Sequence, residues 1–329
     1  MRRFILLMLF ANPVLPIVAQ QVYNSAMPLA HTYSIVGYDP ETGEMGVAVQ
    51  SHWFSVGSIV TWGEAGVGVV ATQSFVNPAF GPDGLAMLKK GLSPQAALDS
   101  LLAADEGRNV RQVALLNAKG ETAVHTGSNC IAEAGHKQGQ YFSAQANMML
   151  TDKVWGAMAT AFETTKAPLA ERLIAALEAA ENAGGDIRGK QSAALLVVSG
   201  TNTGKPWIDR LVDLRVEDHS QPIAEIKRLL QVHRAYGHMN AGDLAVEKGK
   251  MDEAMQEYAA AQKLFPDNEE MSYWTAVTLA NAGKTDEALA LFKMVFAKNE
   301  QWRILTTRIV NNKLLTVDTQ TLMRILEVR

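Results

Sequence analysis

The sequence is poor in the features on which functional assignments often rest. Of its 329 residues only one is cysteine, Cys130. A lone cysteine forms no internal disulfide and no multi-cysteine metal site. Long apolar runs are also scarce. Residues 4–10 form one, but it falls well short of the roughly 20 residues a membrane span needs, and Pro13 and Pro16 interrupt the stretch after it. Neither sign of charge dominates: 30 basic residues stand against 34 acidic ones, for a net charge of −4. That balance gives no electrostatic reason to expect nucleic acid as a partner. A 48% hydrophobic content with mean hydropathy of −0.02 excludes a largely disordered chain and a polytopic membrane protein.

Nucleotide and protease signatures are missing too. There is no P-loop, no G-x-S-x-G elbow and no H-E-x-x-H. Residues 66–71 spell the dinucleotide pattern G-x-G-x-x-A, but in a β-rich run with no helix N-terminus to receive a phosphate. The seven histidines lack metal-ligand spacing. No cofactor and no metal is therefore expected.

What is present begins with a targeting pattern. Arg2 and Arg3 precede the apolar run, and Ala19 ends it with a small residue. This is the layout of a cleaved secretory signal over residues 1–19, leaving a leader tail of residues 20–31. The expected location is exported, periplasmic or extracellular, without stable membrane insertion.

From Thr32 the pattern turns to strands. Residues 32–38 and 44–50 flank a Pro- and Gly-containing turn and predict a hairpin. Strands are expected at 58–62, 66–73, 112–117, 121–126, 192–199 and 208–216. Helices are expected at 78–90, 94–104, 154–165 and 169–180, with another starting at Pro222. Strands and helices come in blocks rather than in strict alternation. The order predicts an α+β fold of antiparallel sheets covered by helices.

The tail carries a repeat. G-K-M-D-E-A-M at 249–255 returns as G-K-T-D-E-A-L at 283–289, a spacing of 34 residues. Gly242, Ala254, Tyr258, Ala261 and Pro266 occupy the small, aromatic and proline positions of a tetratricopeptide repeat. Two repeats are marginal alone, so residues 302–328 are expected to cap them. The expected division is 32–235 for the first domain and 236–329 for the repeats. Asn240, Lys248, Glu247, Glu253 and Glu257 are either lining of a repeat groove or ordinary solvated helix faces. The repeats suit a protein or peptide partner, or contact between copies of the chain.

Polar residues at the ends of apolar strands are the candidate site: Ser51, Gln73, His125, and the group Asp186, Arg188 and Gln191 that leads into the strand at 192. Each is also explained by an ordinary structural hydrogen bond. Cys130 has no adjacent basic activator and reads as an inert thiol.

T-Y-S-I-V-G at 32–37, D-P-E-T-G-E-M-G-V-A-V at 39–49, G-V-G-V-V-A-T-Q at 66–73, H-T-G at 125–127, the run 184–195 and R-V-E-D-H at 215–219 together resemble a family of unknown function, DUF1028. That family is grouped with the N-terminal-nucleophile (Ntn) hydrolases. Some of its members carry a C-terminal module thought to bind peptidoglycan, where this chain has repeats. The resemblance implies a four-layer αββα sandwich and amide hydrolysis by a residue opening the first strand, whose own α-amine acts as base. Thr32 holds that position, and Ser34 lies two residues on, on the same face. The resemblance implies supporting roles for Ser51, Gln73, His125, Asp186, Arg188 and Gln191. Thr32 is joined to His31 in the encoded chain, so this chemistry requires a cut between them. The substrate would be a small amide or peptide-like compound, with the cell wall as one source. The alternative is a catalytically silent Ntn-like binding module whose repeats recruit a partner protein.

Overall fold

A computed structural model describes residues 29–329. The expected signal segment and residues 20–28 of the leader tail lie outside the described residues. The chain divides into two compact units, one ending at Ile223 and the other running from Ala224 to Arg329.

The first unit opens with β1 (Leu29–Ala30), β2 (Thr32–Tyr38) and β3 (Met45–Ser51). A single turn, α1 (Gly57–Val60), leads to β4 (Thr61–Glu64) and β5 (Gly68–Phe75). Next come α2 (Phe80–Lys89), α3 (Pro94–Ala103), β6 (Arg111–Asn117), β7 (Thr122–Thr126), β8 (Gly135–Gly139) and β9 (Phe142–Ala146). The unit is completed by α4 (Val154–Thr164), α5 (Leu169–Asn182), β10 (Ser192–Val198), α6 (Pro206–Asp209) and β11 (Arg210–Val216).

Two sheets result, antiparallel throughout. One has the order β11-β10-β3-β2-β9-β8; the other has β1-β5-β6-β7, with β4 also paired to β5. Side-chain alternation separates their faces. Val36, Val47 and Val49 of the first sheet meet Val69, Ala71, Ala114 and Leu116 of the second. The intervening Val70, Val113 and Leu115 turn the other way, onto Leu85 of α2 and Leu98 and Leu101 of α3. On the first sheet α5 packs against β2 and β3, and α4 against β8 and β9. Leu169, Leu173, Ile174 and Leu177 form the buried stripe of α5. Each such burial is worth roughly 2 kcal/mol. With both faces covered, β2, β3 and β10 read as nearly continuous apolar runs, which makes them legible in the sequence.

Three expectations need correction. The strand expected at 208–216 starts only at Arg210, because Pro206–Asp209 form the short helix α6. Residues 58–60 belong to the α1 turn, where Thr61 Oγ1 donates to the Gly57 carbonyl, and the strand starts only at Thr61. The strands β8 and β9 are absent from the sequence-based expectation. The segment 142–146, F-S-A-Q-A, has little β-branched or aromatic content and is recruited by its neighbour β2 rather than by propensity. The glycines of the 66–71 motif lie in the turn before β5 and at its first residue, and no helix starts there.

The second unit is helical: α7 (Pro222–Glu247), α8 (Met251–Leu264), α9 (Glu269–Asn281), α10 (Thr285–Lys298), α11 (Gln301–Asn311) and α12 (Thr319–Glu327). Gly242 leaves room for the Tyr258 ring, whose atoms would lie 2.4 Å from any added Cβ, and the Tyr258 hydroxyl donates to Asp243 Oδ1 at 2.7 Å. Burial pushes the Tyr258 pKa up to about 12, with Asp243 adding to the rise and Thr278 opposing it. Ile309, Leu315 and Ile325 share one core with Tyr273, Ala288 and Phe292. Glu253 pairs with Lys250, and Glu257 with His238, on the helix surface. Among the described residues no helix is long and apolar enough to cross a membrane.

A packing test separates two glycines. A Cβ on Gly68 would meet the backbone carbonyl of Leu116 at 2.3 Å, whereas one on Gly156, inside α4, meets nothing within 4 Å. Gly68→Ala should destabilise the protein by about 3 kcal/mol in urea unfolding. Gly156→Ala should stabilise it by about 1 kcal/mol, because alanine loses less backbone entropy in a helix.

Candidate functional site

The candidate site grows from the register at one end of the first sheet. Thr32 opens β2 directly opposite Ser51, the last residue of β3, and Ser51 in turn faces Ser192, the first residue of β10. Alternation turns Thr32, Ser34 and Val36 toward the second sheet, while Tyr33 and Ile35 turn toward the helices. Thr32, Ser34, Ser51 and Gln73 are all fully buried.

The residue before Thr32 is held more firmly than a leader tail requires. The carbonyl oxygen of His31 accepts from Ser51 Oγ at 2.6 Å and from Arg188 Nη2 at 2.7 Å. Arg188 is itself braced: its Nε and Nη2 bind the two oxygens of Asp186 at 3.0 and 2.7 Å. The Asp186 carboxylate, fully buried as a side chain, also accepts from the backbone N–H of His52 and of Arg188. A guanidinium fixed in this way presents its remaining N–H in a set direction.

His31 is buried, with its ring edge-on to Phe75 at 5.3 Å between centroids. Its Nδ1 lies 2.8 Å from Asn147 Oδ1. The Asn147 amide nitrogen donates to Gln112 Oε1 and to the Thr32 carbonyl, so its oxygen faces the imidazole and His31 Nδ1 carries the proton. Burial lowers the His31 pKa below the usual imidazole value; the bond to Asn147 opposes this, and the nearby Arg188 charge adds to it.

The Thr32 carbonyl accepts from the Asn147 backbone N–H at 3.1 Å and from Gln73 Nε2 at 3.2 Å. Gln73 Nε2 also donates to Gln112 Oε1, and Gln112 Nε2 reaches Thr126 Oγ1 and the Ala146 carbonyl. A chain of buried amides thus ties β5 and β6 to β2 and β9. Among the described residues Gln73 Oε1 is buried without a partner.

The expected residues divide. Thr32, Ser51, Gln73, Asp186 and Arg188 come together. Ser34 lies one step further along the strand, accepting from Gln145 Nε2 at 2.6 Å. Gln191 contributes its backbone N–H to the Ser51 carbonyl, while its side chain turns away to Asp218. His125 stands apart, with Nε2 on the Arg108 carbonyl. Sequence reasoning missed His31, Asn147 and Gln112. The last two depend on β9 and β6 being brought beside β2, which no local pattern announces. Tyr33 was missed as well: its hydroxyl donates to Glu181 Oε1 at 2.6 Å, and Glu181 pairs with Lys190. Burial raises the Cys130 thiol pKa, consistent with an inert thiol. Among the described residues no group of three or more His, Cys, Asp or Glu side chains stands together to hold a metal ion.

Fold and site together define a class: a mixed α+β domain of two antiparallel sheets with a buried polar cluster at a strand end, followed by helical repeats. The model of a family of unknown function, DUF1028, matches residues 32–226, and the chain belongs to that family. A tetratricopeptide repeat model matches residues 245–309. The crystal structure of a Silicibacter pomeroyi protein that carries the same DUF1028 model is similar, at 34% identity and a TM-score of 0.56. The match covers 61% of this chain and 85% of that one. No curated protein matches the chain.

Two measurements check this cluster. Protonation of His31 is disfavoured while it is seated, so the seated state gains stability as pH rises and loses it as pH falls below the usual imidazole range toward the lowered value. Amide hydrogen exchange at residues 31–33, corrected for intrinsic rates, should therefore be faster at pH 5 than at pH 7.5. Asp186→Asn strips the charge partner from Arg188 and should cost roughly 2–3 kcal/mol of stability in urea unfolding.

Proposed function

We propose that this protein is an exported amidohydrolase of the Ntn type, with Thr32 as nucleophile, acting on a small amide or peptide-like substrate such as the cell wall supplies. One observation carries the reading: the carbonyl of the peptide bond that must break is held by two donors, Ser51 Oγ and Arg188 Nη2, next to the hydroxyl that would attack it. The layering of the first unit, helices outside and two antiparallel sheets within, agrees with the αββα sandwich of those enzymes. The family match also begins at Thr32.

The chemistry runs in two stages. Thr32 Oγ adds to the His31 carbonyl carbon, and negative charge develops on an oxygen already bonded to a hydroxyl and a guanidinium. The C–N bond breaks, the Thr32 nitrogen takes the proton from Oγ, and the His31 acyl group passes to Oγ as an ester. Water hydrolyses that ester, releasing a carboxylate on His31 and leaving Thr32 with a free α-amine. In turnover the α-amine takes the Oγ proton as Oγ attacks the substrate amide. The leaving amine receives that proton, and water then frees the acyl group. Asp186 acts through Arg188 as a positioning residue.

A second reading has its own support. As encoded, Thr32 is amide-bonded and fully buried beneath His31, the state of a silent binding module whose repeats recruit a partner protein. One experiment separates the two: intact mass and N-terminal sequence of the exported protein, followed by assay on an amide panel. The hydrolase reading expects a chain starting at Thr32. Thr32→Ala should keep its leader and lose amide hydrolysis. Arg188→Gln should slow the cut by about a hundred-fold or more, the usual cost of losing an oxyanion donor. A chain stably carrying His31, or an amidase activity unchanged by Thr32→Ala, overturns it.

A further inference from the structure

We infer that the seat occupied by residues 29–31 is the acyl-side substrate subsite, and that it takes an extended L-peptide with a ring-bearing residue, best histidine, at the carbonyl that is attacked. The inference rests on the hydrolase reading for its chemistry but on separate observations for its specificity.

The seat has three parts. The first is a strand edge. Along one side of β5, β4 covers residues 68–71, and β1 pairs antiparallel with the stretch beyond, Leu29 opposite Phe75 and Ala30 opposite Ser74. With residues 29–30 removed, the main chain of Ser74 and Phe75 offers a short edge to another extended backbone. The second part is a side-chain pocket. The His31 ring fills it, buried, with Phe75 edge-on and Asn147 Oδ1 accepting from Nδ1. Asn147 is locked in that orientation by Gln112 and the Thr32 carbonyl, so the pocket selects a donor at the ring position. The third part is the pair of donors on the His31 carbonyl, Ser51 Oγ and Arg188 Nη2. Strand edge, ring pocket and carbonyl donors lie in the order a peptide needs to deliver its carbonyl to Thr32.

The chemistry at each part defines the ligand. A carboxylate side chain at the ring position would bring its oxygens against Asn147 Oδ1, an acceptor, while Arg188 Nε and Nη2 are committed to Asp186 and the carbonyl, so acidic residues are disfavoured. An L-residue in extended backbone places its side chain in the pocket while its neighbours pair with β5. A D-residue at the same position directs its side chain elsewhere. The seat therefore favours a carbonyl from an L-residue, and in a cell-wall peptide its L-residue bonds over its D-residue ones.

Two measurements test this. In the full-length Thr32→Ala chain, which keeps its leader, His31→Phe and His31→Asp are compared by hydrogen exchange at residues 29–33 and 74–76. His31→Phe should raise exchange by less than ten-fold, and His31→Asp by a hundred-fold or more. In the wild-type protein, as purified from its exported compartment, acetyl-Leu-Ala-His acid should inhibit amide hydrolysis competitively. Its Asp counterpart and its D-His epimer should each be at least ten-fold weaker. Equal exchange in the two leader variants, or equal inhibition by the three peptides, overturns the inference. Amide hydrolysis without such selectivity would remove the subsite and leave the hydrolase reading standing. A residue-31-selective seat in Thr32→Ala, with no cut in the wild type, would keep the seat and remove the hydrolase.

Discussion

A buried carbonyl needs donors, and the carbonyl of His31 has two, a hydroxyl and a charged guanidinium. Everything around Thr32 depends on how they are delivered. Ser51 arrives because β3 pairs with β2 in a register that ends both strands together. Arg188 arrives because the loop before β10 folds back on Asp186, whose carboxylate directs its lone pairs to the guanidinium and to two backbone N–H groups. Loss of both arrangements would leave a buried peptide oxygen without compensation, which costs more than an ordinary hydrogen bond contributes.

The amide chain Gln73–Gln112–Asn147 performs a related task between the sheets. Most of the inter-sheet space is filled by valine, alanine and leucine, which pack well but tolerate small slides. Three interlocked side-chain amides do not, because a slide that breaks one bond orphans its neighbours. The polar end of the sandwich therefore fixes its register more sharply than the apolar middle. The same rigidity keeps Asn147 Oδ1 pointed at the His31 ring.

Much of this is legible in the sequence. The β2–β3 hairpin announces itself through nearly continuous apolar runs flanking a turn with Pro and Gly, and the repeat unit through spacing and its small and aromatic positions. Ser51, Gln73, Asp186 and Arg188 stand out as polar residues at or just before apolar strands, and Thr32 through the family resemblance. What the sequence hides is who meets whom. Asn147 and Gln112 look like any polar residue in a short strand, and their roles come from pairings between distant segments. β9 itself is invisible because its small and polar residues form a strand only when β2 offers a partner. His125 differs from the others at the strand ends: its strand reaches the cluster through Thr126, which accepts from Gln112, while the His125 ring lies on the Arg108 carbonyl. His31 reads as leader because nothing in one sequence marks a residue as buried by segments more than a hundred positions away.

The segment before Thr32 crosses between the sheets: β1 pairs with β5 of one, and β2 belongs to the other. Its last carbonyl meets donors from β3 and from the loop before β10, segments far apart along the chain. In a chain still emerging or wrongly folded these four contacts do not coexist, and the peptide bond before Thr32 is an ordinary, inert amide. Only the finished sandwich polarises it. The cut, on the reading proposed above, is thus timed by folding itself: a molecule becomes active only once both sheets are in place, and its new N-terminus is a permanent record that they were.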